Sequence, residues 1–208
     1  GIIYKSQSKY SQALEYYFKS LNISEDIGDK KTIAASSTNI GTIYRIQGNY
    51  NQTLDYYKKS LGIYEKMGDK REIANVYNNI GNIYKLEKKY QKALEYYSKS
   101  LKMKNEVGVK TGIVFIYNDF GDIYLQQKDF SRALEFYTKA RETGREVGEK
   151  PQLARAEYGI GACYKAMGEN KKALEYLNRS LNLARETNAQ ILKNAAGQLG
   201  EAYAQTGQ

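Results

Sequence analysis

The chain has 208 residues, 41% of them hydrophobic, and a single proline, a composition that supports a folded core and excludes a disordered chain. With no histidine and one cysteine, Cys163, it excludes an intramolecular disulfide, a histidine-dependent triad, an imidazole zinc site and haem ligation by histidine. The formal charge of +9 favours acidic partners by long-range attraction, but the lysines are interspersed with glutamates rather than gathered in a run, the pattern of a solvated surface.

Residues 1–29 supply the end of one helix and all of a second, the latter carrying "QALEYYFKSL" at 12–21. Residues 30–69 carry "NIGTIY" at 39–44 and then "QTLDYYKKSL" at 52–61. The same pair of blocks returns in 70–109 as "NIGNIY" and "QKALEYYSKSL", in 110–149 as "DFGDIY" and "SRALEFYTKA", and in 150–188 as "GIGACY" and "KKALEYLNRS". Residues 189–208 supply one further helix of the first kind, with Gly200 and Tyr203 one residue early. The motif glycines Gly41, Gly81, Gly121 and Gly161 are 40 residues apart, and a period of that size predicts a solenoid.

Within each repeat the apolar residues follow helical spacing: Ile73, Val76, Tyr77, Ile80 and Tyr84 on the first segment, Leu94, Tyr97 and Leu101 on the second. This predicts a hairpin of helix A over 70–87 and helix B over 90–107, each about 27 Å long. Gly28, Gly68, Gly108 and Gly148 close the repeats as left-handed C-terminal caps, with Asn188 in that role at the last junction. Asp29 and Asp69 follow as N-caps, Asp69 with Glu72 at capping-box spacing, and Pro151 suits a first helical turn.

Ile80-Gly81, Tyr84, Tyr90 and Ala93 match a known pattern: an apolar residue before glycine, a tyrosine three later, then an aromatic turn and a small residue. It recurs at Ile40-Gly41, Tyr44, Tyr50 and Thr53, and at Phe120-Gly121, Tyr124, Phe130 and Ala133; the fourth unit departs from it with Asn170 at the aromatic position. In this the whole chain resembles the tetratricopeptide repeat family, in the 40-residue form similar to kinesin light chains, Pins-type spindle adaptors and bacterial Rap-type regulators. The resemblance implies an all-α fold, a right-handed α-α superhelix of antiparallel hairpins with helix A lining the inside, and a ligand running along that inner face. On packing grounds Gly81 admits helix B closely and Ala93 is its small partner, while Cys163 stands where Ile43, Ile83 and Ile123 stand and reads as a buried small hydrophobe.

Enzymatic motifs fail on inspection. "GIGACY" does not follow a strand, "GDKKT" at 28–32 lacks the first glycine of a phosphate loop, and Glu25 and Asp26 are adjacent on a helix and point apart. The expectation is a non-enzyme with no cofactor.

What remains is the face of helix A opposite the tyrosine-isoleucine stripe. At 100° per residue, Asn75, Asn78, Asn82 and Lys85 share one arc, with Asn79 at its edge. The matching rows hold Thr38, Thr42 and Arg45, then Phe115, Asn118 and Asp122, then Arg155, Tyr158 and Lys165. Asparagine carries both a donor pair and an acceptor, so this row is expected to grip a peptide bond by its N–H and C=O together. Arg45, Lys85, Arg155 and Lys165 would favour an acidic ligand or free carboxylate, and Phe115 and Leu125 an apolar anchor.

The expected function is therefore a protein- or peptide-binding scaffold. By fold analogy it is the sensory or interaction region of a larger bacterial signalling protein, cytoplasmic, or periplasmic if fused to a membrane sensor. A second class is self-association through an exposed end at Leu14, Tyr17 and Leu21; a third, suggested by charge alone, is nucleic-acid binding. No window approaches the ~18 apolar residues of a membrane span and the N-terminus is not a signal peptide. The start at Gly1 without methionine reads as a cut from something longer, and the abundance of tyrosine, lysine and asparagine suits an AT-rich bacterial genome.

Overall fold

The computed structural model describes residues 9–185 and 189–206. Ten helices follow one another in that range: α1 (Tyr10–Asp26), α2 (Lys30–Ile46), α3 (Tyr50–Met67), α4 (Lys70–Leu86), α5 (Tyr90–Glu106), α6 (Thr111–Gln126), α7 (Phe130–Val147), α8 (Lys150–Ala166), α9 (Asn170–Ala184) and α10 (Ala189–Thr206). Helices A are α2, α4, α6, α8 and α10, and the rest are helices B. Each start and stop has a local cause. Asp29 and Asp69 accept from the backbone N–H of Thr32 and Glu72, as capping spacing predicts, and Asp129 accepts from Arg132. The box at Asp69 is only half made, since the Glu72 carboxylate accepts from Asn75. Gly28, Gly68, Gly108 and Gly148 all take left-handed backbone, with φ of 71°, 69°, 68° and 72°. The turns inside the hairpins need the same conformation, which Gly48 and Gly168 supply, while Lys88 and Lys128 adopt it at φ 58° and 60° despite their side chains. The cap expected at Asn188 and the helix end expected at 1–6 lie outside the described residues, as does the Tyr203 side chain.

The chain forms two compact units, Gly1–Val107 and Gly108–Gln208. In the first, α2 pairs with α3 and α4 with α5; in the second, α6 pairs with α7 and α8 with α9. The first unit packs Tyr57, Tyr64, Ile73, Val76, Ile80 and Ile83 into one core and Ala13, Tyr17, Leu21, Ile40 and Ile43 into another. Tyr17 and Leu21 are thus covered by α2; the exposed large apolar side chains of α1 are Tyr16 and Ile23, followed by Ile27 at its C-cap. The second unit buries Ala133, Tyr137, Ile160 and Cys163 together, so Cys163 is the buried hydrophobe its repeat position predicts.

The motif glycine has a different neighbour from the one its spacing suggests. A Cβ on Gly81 would stand 2.7 Å from ring carbons of Tyr97, which is fully buried, so the residue that needs the space is an aromatic ring of helix B rather than Ala93. Gly41 faces Tyr57, Gly121 faces Tyr137 and Gly161 faces Leu177 in the same way. The extra glycine of "GIGACY", Gly159, also abuts the Tyr137 ring, which is accommodated between two backbones lacking side chains.

Candidate functional site

In the first unit the expected row on α4 is present, and its side chains are oriented by groups beneath them. Tyr97 runs under Gly81, and its hydroxyl donates to Asn82 Oδ1 at 2.7 Å. Lys104, itself buried, donates to Asn75 Oδ1 at 3.0 Å, and Asn75 Nδ2 reaches Glu72 at 3.4 Å. Burial holds the Lys104 ammonium below its ordinary range, with Arg71 adding to the effect. Asn78 buries its Oδ1 without a partner. Asn78, Asn79, Asn82 and Lys85 are all half-buried. On α2, Thr38 donates to the Ala34 carbonyl and sits 2.6 Å from the Ser60 hydroxyl, while Thr42 donates to the Thr38 carbonyl and sits 3.3 Å from the Tyr57 hydroxyl. Arg45 is half-buried and lies near Tyr57.

In the second unit the same positions are used internally. Asn118, expected on the ligand face, is fully buried and donates to the Gln152 carbonyl at 3.0 Å, so it joins α6 to α8. Arg155, expected to attract an acidic ligand, is already paired with Asp119 at 2.7 Å and with Asp122. Burial works against its charge, but Asp122 and Asp119 outweigh it and keep the guanidinium above its ordinary value. Asp122 also accepts from Tyr137 at 2.9 Å. Lys165 donates to Gln198 at 2.8 Å and pairs with Glu201. Tyr158 is half-buried with its hydroxyl raised by burial and by Asp122 and Glu201, while Phe115 remains exposed and Leu125 half-buried.

Sequence reasoning missed the helix-B tyrosine as the orienting group, although the repeats carry the signal. Tyr57 pairs with Thr42, Tyr97 with Asn82 and Tyr137 with Asp122, and where the tyrosine becomes Leu177 the polar partner becomes Ala162. It also missed Glu157 on α8, which is 1% exposed, accepts from Arg145 at 3.3 Å and leaves Oε2 without a partner. Among the described residues no group of His, Cys, Asp and Glu could hold a metal ion, and no helix is long and apolar enough to cross a membrane.

A family model described as tetratricopeptide repeat matches residues 1–66, 32–106, 72–146 and 112–186. No curated protein sequence matches the chain. Among solved structures it is similar to BtubC (BKLC) from P. vanneervenii, at 18% identity and TM-score 0.81 over 95% of this chain and 84% of that one. It is similar to a signal-transduction ATPase with numerous domains and a tetratricopeptide repeat sensor from Pyrococcus horikoshii, at 22% identity and TM-score 0.84, covering 98% of this chain but 32% of that one. A Rap protein complexed with competence and sporulation factor is similar at 21% identity and TM-score 0.72, over 85% of this chain and 50% of that one.

Proposed function

Because the chain belongs to the tetratricopeptide repeat family, a fold of interaction scaffolds, we propose that it binds an extended peptide along the polar face of its A helices, within the first unit. The observation that carries this reading is the row on α4: half-buried asparagines at 78 and 82, one with its oxygen held from below by Tyr97 and the other with its oxygen turned inward. Several amides in line suit a ligand held by backbone contacts, because each such hydrogen bond contributes only about 0.5–1.5 kcal/mol. A role as the sensory or interaction region of a larger signalling protein is supported by the repeat sensor of the signal-transduction ATPase and by the Rap protein complexed with competence and sporulation factor, and it rests on fold analogy. Selection of a peptide library on the immobilised chain, followed by calorimetry, tests the reading. Asn78→Ala with Asn82→Ala is expected to weaken the selected peptide, and unchanged affinity would sink the proposal.

One observation favours self-association as a second reading. Ile23 of α1 and Ile27 at its C-cap are 61% and 72% exposed and, with Tyr16, line an apolar depression of about 470 Å³. Ile23→Asp with Ile27→Asp is expected to abolish any concentration-dependent sedimentation; a wild-type monomer at high concentration would remove this reading.

A further inference from the structure

An asparagine with both ends free reads a peptide bond by its N–H and its C=O together. The α4 asparagines do not have both ends free. Tyr97 occupies Asn82 Oδ1 and Lys104 occupies Asn75 Oδ1, while Asn78 Oδ1 is buried. Asn78 Oδ1 is buried and Asn82 Oδ1 is directed inward onto the buried Tyr97, while neither amide nitrogen is buried or bonded among the described residues, so the group each turns outward is the nitrogen, a donor. They are four residues apart, about 6 Å along the helix axis. In an extended strand, carbonyls on one side recur every two residues, at about 6.6–6.8 Å. The spacing suits successive same-side carbonyls and leaves the N–H groups of the strand unread.

Charge selects among the strands that could lie there. The first unit holds 18 lysines and arginines against 11 aspartates and glutamates, a net +7, and the second holds 14 against 12, a net +2. Arg45 makes no ion pair with a carboxylate among the described residues, and the buried Lys104 cation lies directly under the row. In the second unit the matching positions offer no such row, because Asn118 is buried and Asp122 is an acid held by Tyr137 and Arg155.

We propose that α4 presents a donor-only row, fixed by Tyr97 beneath it, that takes an extended acidic peptide by its carbonyl oxygens. Tyr97 is a positioning residue, since it acts through Asn82 and touches no ligand. The inference rests on the peptide-binding reading and narrows it to one polarity and one charge class.

The test uses the whole chain and two capped octapeptides, one alternating glutamate with glycine and one alternating lysine with glycine, measured by calorimetry. The acidic peptide is expected to bind and the basic one not to. Asn82→Asp keeps an acceptor for Tyr97 and reproduces the Asp122–Tyr137 pair the fold already accepts, but replaces the outward donor with an acceptor. It is expected to lose roughly tenfold or more in affinity. Tyr97→Phe lets the Asn82 amide turn over, so it should weaken the acidic peptide and shift the Asn82 side-chain amide resonances while the backbone spectrum is retained. Arg155→Gln is expected to leave binding unchanged. If the acidic peptide binds and responds to Asn78→Ala and Asn82→Ala but not to Asn82→Asp or Tyr97→Phe, the donor-only inference fails while the groove reading stands. Binding indifferent to Asn78 and Asn82 overturns both, and preference for the basic peptide, or binding of neither, overturns the acidic class.

Discussion

The pairing of one glycine with one buried ring sets how closely each hairpin can pack. Tyr97 is fully buried and cannot move aside, so the Cβ of Gly81→Ala, built 2.7 Å from two of its ring carbons, must push the helices apart or force the ring off its rotamer. A loss of about 1–3 kcal/mol is expected, read as a lower denaturant midpoint. Lys88 is the opposite case: a side chain where the turn asks for none. Left-handed backbone costs a non-glycine residue about 1–2 kcal/mol, partly offset in the variant by the greater freedom of glycine in the unfolded chain. Lys88→Gly, matching Gly48 and Gly168, is expected to raise stability by up to about 1 kcal/mol in the same measurement. The glycines were legible as repeat marks in the sequence; the identity of the group they make room for was not, because the ring lies sixteen residues away on another helix.

Between helices, the repeats conserve geometry while exchanging chemistry. The A helices α2, α4, α6 and α8 each stack their motif tyrosine on an aromatic of the following B helix, Tyr44 on Tyr56, Tyr84 on Tyr96, Tyr124 on Phe136 and Tyr164 on Tyr176, with ring centroids 5.4–5.7 Å apart. The joint between α7 and α8 departs from the pattern. Where α4 has Tyr77 donating to Glu65, the corresponding positions hold Glu157 and Arg145, and Arg141 replaces the leucine found at 101 and 61. Burial raises the Glu157 carboxyl above its ordinary range, against the pull of Arg141, Arg145 and Arg179. A raised folded value means that the native state holds the proton more tightly than the unfolded chain. The resulting stability is full below the unfolded value and is lost as pH rises through the folded one. Glu157→Gln is therefore expected to be more stable than the wild type at neutral pH, with an advantage that shrinks on acidification, as followed by thermal unfolding. Replacing the charges together, Arg141→Leu with Glu157→Tyr, is expected to be neutral or stabilising by about 1–4 kcal/mol. Arg141→Leu alone should destabilise, because it strips a cation from a buried carboxylate.

At the scale of the whole molecule the charge is unevenly placed and locally compensated. Several cations that lie over aromatic rings are held by their own carboxylates: Lys99 by Glu95, Lys139 by Glu135, Arg132 by Asp129 and Lys172 by Glu169. These pairs follow the interspersed charges of the sequence, a cation and a carboxylate within one helical turn of each other. The net +7 of the first unit acts at longer range. Binding of the glutamate octapeptide is expected to weaken as salt rises from about 50 mM to about 500 mM, and Arg45→Gln to flatten that dependence, both by calorimetry. The sequence alone determined the repeat, the helices and their caps, and the apolar stripe, because these follow from spacing along one helix and from backbone preferences of single residues. It also named the polar row, but could not say which of its members were free. Thr38, Asn82, Asn118 and Arg155 look alike as polar positions on an exposed arc; which of them points outward was decided by Ser60, Tyr97, Gln152 and Asp119 on other helices. A hydrogen bond is satisfied by whatever lies within about 3 Å, and only the tertiary structure brings those partners there.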